Sequence, residues 1–70
     1  MKDMKWIPAI IAVLAEAGRP MHYVEITRTI IDKGYRTEYG ATPENSVGMY
    51  LRRKPDLFER VSKGVYKLIE

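Results

Sequence analysis

Cysteine is absent from the chain, which removes disulfides and thiolate metal sites as supports for a small fold. A single histidine has no second histidine or cysteine to complete a metal site or a catalytic pair. No glycine-rich phosphate loop occurs, and the nine acidic side chains are scattered rather than clustered. These absences leave no constellation for nucleophilic, acid–base or metal chemistry, so the expectation is a non-enzyme with no catalytic residues, no metal and no cofactor. Long apolar runs are also missing. The longest, WIPAIIAVLA at 6–15, is too short to span a bilayer and lacks the small-residue cleavage pattern of a signal peptide. The chain is therefore expected to be cytoplasmic, with no membrane partner, and to associate with the nucleoid if its source is bacterial.

What is present is the composition of a folding domain. Hydrophobic residues make up 46% of the 70 and charged residues 30%, far from the balance of a disordered chain. A chain this short supports one core, so residues 1–70 read as one domain, expected to be a module of a larger protein. No repeat, low-complexity tract or linker interrupts it. The formal net charge is +3, and its placement is uneven. Residues 1–51 hold six basic and six acidic side chains, whereas residues 52–70 hold six basic and three acidic. The surplus lies in the last quarter, as on a face that meets a polyanion.

Periodicity predicts three helices followed by a hairpin. The first helix runs from Trp6 to Ala17, with Pro8 in its first turn and Gly18 and Pro20 behind it. Trp6, Ile10, Val13, Leu14 and Ala17 form its core stripe, widened by Ile7 and Ile11. The second helix runs from Tyr23 to Lys33, with His22 at the N-cap, Gly34 as left-handed cap, and Tyr23, Ile26 and Ile30 pointing inward. The third helix has the clearest start: Thr42 offers a capping hydroxyl, Pro43 suits the first helical position and Glu44 complements the dipole. Pro55 stops it. A β-hairpin follows, with Phe58–Val61 and Val65–Ile69 joined by a turn at residues 62–64. The expected fold is mainly α with a small β-hairpin, a winged helix-turn-helix of three helices plus a C-terminal wing.

At about 100° per residue, Val47, Tyr50 and Leu51 gather on one side of the third helix and are expected to be buried. Asn45, Met49 and Arg52 fall opposite, flanked by Gly48 and Arg53. In a helix-turn-helix such a helix enters the major groove. An asparagine amide matches adenine, an arginine fork matches guanine, and a methionine can touch a thymine methyl. Gly48 allows close backbone approach. Thr42 and the backbone N–H groups after it can receive a phosphate, although Glu44 opposes one there. The candidate nucleic-acid-binding residues are thus Thr42, Asn45, Ser46, Met49, Arg52, Arg53, Arg60 and Lys63. Each has a structural alternative: solvation of the first turn for Asn45, dipole compensation for Arg52–Lys54, and close helix packing for Gly48. Taken together with the charge gradient, they favour double-stranded DNA as partner. The competing reading is a protein-docking module that uses the broad apolar first helix through Ile7, Ile11 and Val24.

The tryptophan followed by AIIAVLAEAGRPMHYVEI, then TPENSV, then LF and VSKGVYKL, resembles the HARE-HTH family along nearly the whole chain. That resemblance implies a winged helix-turn-helix found at the ends of restriction endonucleases, in Additional-sex-combs-like chromatin proteins and in the delta subunit of bacterial RNA polymerase. It implies a DNA-binding or adaptor role, with modified DNA as one proposed target and a fused or associated nuclease or other effector as a partner. It brings no catalytic motif. The residues that carry it, Trp6, Leu14, Pro20, Ile26, Val47, Leu51, Phe58, Tyr66 and Leu68, are mainly structural. Pro8 within the first helix departs from the pattern.

Overall fold

The computed structural model describes residues 3–69. Helix α1 spans Trp6–Ala17, strand β1 Met21–His22, helix α2 Tyr23–Asp32, helix α3 Pro43–Arg53, and strands β2 and β3 Phe58–Ser62 and Val65–Leu68. Pro8 is the third residue of α1, inside the turn whose N–H groups have no helical acceptor, so the proline costs the helix no bond. At the far end the Gly18 N–H donates to Leu14 O at 3.0 Å.

Helix α2 stops one residue before the predicted Lys33, which is its C-cap. The Gly34 N–H donates to Ile31 O and the Tyr35 N–H to Ile30 O, the paired bonds of a Schellman ending. Gly34 takes φ +72°, a conformation that a Cβ would make costly. At the other end of α2 the His22 imidazole caps the helix through Nδ1, which accepts from the Val24 N–H at 3.2 Å.

The three helices and the sheet share one core. Ala9, Ile10, Val13 and Leu14 of α1 meet Ile26 and Ile30 of α2, Val47 and Leu51 of α3, and Met21, Phe58 and Tyr66 of the strands. Full burial of an Ile or Leu side chain stabilises by about 1.5–3 kcal/mol, and this core is the main term holding a cysteine-free chain together. Trp6, Ala17 and Tyr23, expected inside, are only half-buried against the core, as is Tyr50. Trp6 is covered instead by Arg36, whose guanidinium carbon lies 4.5 Å from the ring centroid.

The segment between α2 and α3 is tied to the chain ahead of α1. Arg36 donates to Met4 O at 2.6 Å and to Glu38 O at 2.8 Å. The Asp3 carboxylate accepts from the backbone N–H groups of Thr37 and Glu38 and from the Thr37 hydroxyl. Those bonds, the Glu38 N–H first, hold the Asp3 carboxyl below its usual range. Glu16 of α1 is likewise lowered, chiefly by the Tyr35 hydroxyl that donates to it and then by Lys33.

The sheet corrects the predicted hairpin in three ways. Its order is β1-β3-β2, antiparallel throughout, so a third strand lies beside the wing. Met21 pairs with Tyr66 and His22 with Val65. Two residues are too few to show alternation, which is why periodicity missed β1. Strand β2 continues to Ser62, leaving the two-residue turn Lys63–Gly64, with Gly64 at φ +74°. The register shifts between Arg60 and Ser62, so Val61 has no partner on β3 and is exposed. Ile69 lies past the end of β3.

Candidate nucleic-acid interface

Pairing across the wing decides which side chains meet α3. Arg60 stands opposite Tyr66, and opposite residues of an antiparallel pair share a face. Both line a groove between the wing and α3. The neighbouring pair, Glu59 and Lys67, turns to the other face and forms its own ion pair at 3.7 Å. Alternation thus sends the acidic residue of β2 away from the groove and the arginine into it.

The groove has an apolar floor of Leu51, Phe58 and Tyr66 and a polar rim of Asn45, Arg52, Arg60, Lys63 and His22, with Glu44 at one side. Asn45, Arg52, Arg60 and Lys63 are all exposed. Among the described residues three ion pairs form, Arg19–Glu25, Lys33–Glu16 and Lys67–Glu59, and none engages Arg52, Arg53, Arg60 or Lys63. The wing and α3 therefore gather cations that the described residues leave uncompensated, from positions far apart in sequence.

Along α3 the expected outward stripe divides into two rows. Asn45, Gly48 and Arg52, spaced i, i+3, i+7, face the groove, while Ser46, Met49 and Arg53 form the adjacent row outside it. Arg53 is exposed, and Ser46 and Met49 are half-buried. Gly48 corrects the expectation of an open backbone flank, because it is buried. A Cβ there would lie 3.7 Å from the Tyr23 ring of α2 and 3.2 Å from Nη1 of Arg52, so the glycine admits helix packing and lets Arg52 fold back across it. Thr42 stands at the N-cap of α3 as expected, but its hydroxyl makes no capping bond, and the Thr42 carbonyl accepts from the Asn45 N–H at 3.1 Å. Thr42 is exposed and lies outside the groove.

Two groove residues, His22 and Tyr23, are not apparent from the sequence as interface candidates. Their rings stack at 4.7 Å between centroids, and both reach the wing turn at Gly64. The Tyr23 N–H donates to Gly64 O at 2.9 Å. The capping position of His22 is legible, but its approach to the wing depends on β1 pairing with β3, which no local pattern announces.

The apolar flank of α1 does not form an open patch: Ile7, Ile11 and Val24 are half-buried, the first two against the core. The large exposed hydrophobics among the described residues are Tyr39, Val61 and Ile69, none of them on α1. No helix is long and apolar enough to cross a membrane, and no group of three or more potential metal ligands occurs among the described residues.

Comparison with family models matches residues 4–70 to HARE-HTH, described as a helix-turn-helix domain of ASXL proteins and restriction endonucleases. Comparisons with curated proteins and with solved structures give no match. The order of helices, the wing folded back on them and a match running from Met4 to the last residue agree, and the chain belongs to the HARE-HTH family of DNA-binding helix-turn-helix domains.

Proposed function

We propose that the chain binds double-stranded DNA by setting α3 in the major groove while the wing holds the adjacent backbone. The observation that carries this reading is the convergence of Arg52, Arg60 and Lys63 on one groove beside α3, with no ion pair to any described carboxylate. Asn45 and Met49 are the side chains directed at base edges, with adenine and a thymine methyl as their chemical complements. Guanine suits Arg52 by chemistry alone. Its turn across Gly48 toward the wing supports a phosphate contact instead, shared with Arg60 and Lys63. Arg53, in the outer row, meets a second phosphate, and Ser46 and Thr42 add hydroxyls to the same backbone. Modified bases and an attached nuclease or other effector are further proposals, supported by the family's restriction endonuclease members; in that role residues 1–70 are the targeting module.

Titration of the chain with a duplex at two salt concentrations tests the reading. Four phosphate-bound cations give a slope of log K against log salt of roughly −3.6, and Arg60→Ala brings it nearer to about −2.7. Affinity confined to the millimolar range at low salt, or a slope that ignores both Arg52→Ala and Arg60→Ala, overturns it.

A further inference from the structure

We propose that His22 is a DNA-phosphate ligand of the α3–wing groove, donating through Nε2–H as a neutral imidazole. This rests on the DNA-binding reading above and adds to it a residue outside the recognition helix. Three observations converge on the assignment. First, the ring is oriented by the fold: Nδ1 accepts the Val24 N–H at 3.2 Å, so the neutral ring carries its hydrogen on Nε2. Second, among the described residues no acceptor takes that Nε2–H, although His22 is exposed on the rim that also carries Arg52, Arg60 and Lys63. Third, the ring is fixed from both sides, stacked on Tyr23 and pressed against the wing turn, where a Cβ on Gly64 would stand 2.7 Å from Nε2.

A donor immobilised by its own helix cap, standing beside three cations in a concave groove, is organised for an anionic oxygen before the ligand arrives. The ring gives the phosphate a directed hydrogen bond without adding a charge. Arginine and lysine supply the attraction at longer range, while the imidazole fixes where along the groove the phosphate stops. Capping and ligation use opposite nitrogens, so both operate at once.

The charge-free character of the contact makes it separable from the cationic ones. His22→Ser keeps an oxygen that can cap the Val24 N–H but removes the Nε2 donor. At mildly alkaline pH, where imidazole is neutral, this variant is expected to melt within a few degrees of the native chain. It should bind a mixed-sequence duplex roughly three- to tenfold more weakly, with the salt slope unchanged. Arg60→Ala instead changes the slope. Equal affinity for His22→Ser, or a reduced slope, overturns the assignment while leaving DNA binding in place.

The native chain supplies a second readout that does not depend on the variant folding, because its histidine is unique. Nitrogen-15 spectra of the imidazole should show the Nε2–H resonance shifting and exchanging more slowly with water at saturating duplex. A ring signal unmoved while α3 amides shift overturns the His22 contact alone. If neither moves, the DNA reading itself fails and the inference with it.

Discussion

His22 and Gly64 are in contact across the junction of α2 and the wing: a Cβ added to Gly64 would lie 2.7 Å from Nε2 and 3.1 Å from Cδ2 of the imidazole. The glycine thus meets two demands, a left-handed φ of +74° and room for a ring.

Gly34 and Gly64 have nearly the same φ, but a Cβ on Gly34 would touch nothing within 4 Å. Gly34→Ala is therefore expected to cost only the conformational term, about 1 kcal/mol. Gly64→Ala adds displacement of the His22 ring and its cap, and should cost about 2 kcal/mol or more. Urea denaturation measures both. In a His22→Ser background the Gly64→Ala cost should fall toward that of Gly34→Ala; strictly additive costs would show that the contact imposes no constraint.

Gly48→Ala should separate stability from binding. Alanine gains up to about 1 kcal/mol of helix propensity over glycine in a helix interior. The Tyr23 ring at 3.7 Å is at ordinary contact distance, and the tighter 3.2 Å neighbour is the mobile end of exposed Arg52, which can move aside. The melting temperature should rise while duplex affinity drops, because Arg52 is pushed from its place over Gly48. A variant that binds as tightly as the native chain would remove Arg52 from the groove contacts.

Acid should loosen the tie between Asp3 and the segment at 37–38. The folded carboxyl sits below its usual range, so the folded chain releases this proton more readily than the unfolded chain does. The stabilisation is complete above the ordinary carboxylate range and is lost as pH falls through the lowered folded value. The melting-temperature gap between the native chain and Asp3→Asn should stay constant near neutrality and close as pH drops below about 4. A gap that persists in acid would mean that the carboxylate's bonds contribute nothing. Glu16, lowered by Tyr35 and Lys33, bends the native curve the same way but is common to both proteins.

The helices were legible because each boundary has a local chemical cause: Pro8 at the start of α1, Gly18 and Gly34 behind α1 and α2, Pro43 and Pro55 around α3. The rotational phase of α3 was legible only in part. Val47 and Leu51 could be set inside by period alone, but whether Arg52 faces open solvent or the wing depends on Gly48 and Tyr23, which belong to different helices. Likewise, Arg60 and Lys63 were visible as wing cations, while their shared groove with Asn45 follows from the register of β2 on β3. The ties from Asp3 and Arg36 join positions more than thirty residues apart and leave no trace in composition or spacing. What the chain announces locally is its element boundaries; what it leaves silent is which of its side chains become neighbours.

Strand β3 is the middle of the sheet, and it also follows every helix in the chain. On a translating ribosome, Met21 and Phe58 must wait for Tyr66 before either has its neighbour. The helices emerge early but close their shared interior late, so a stalled or clipped nascent chain would display the aliphatic surface that the complete domain conceals.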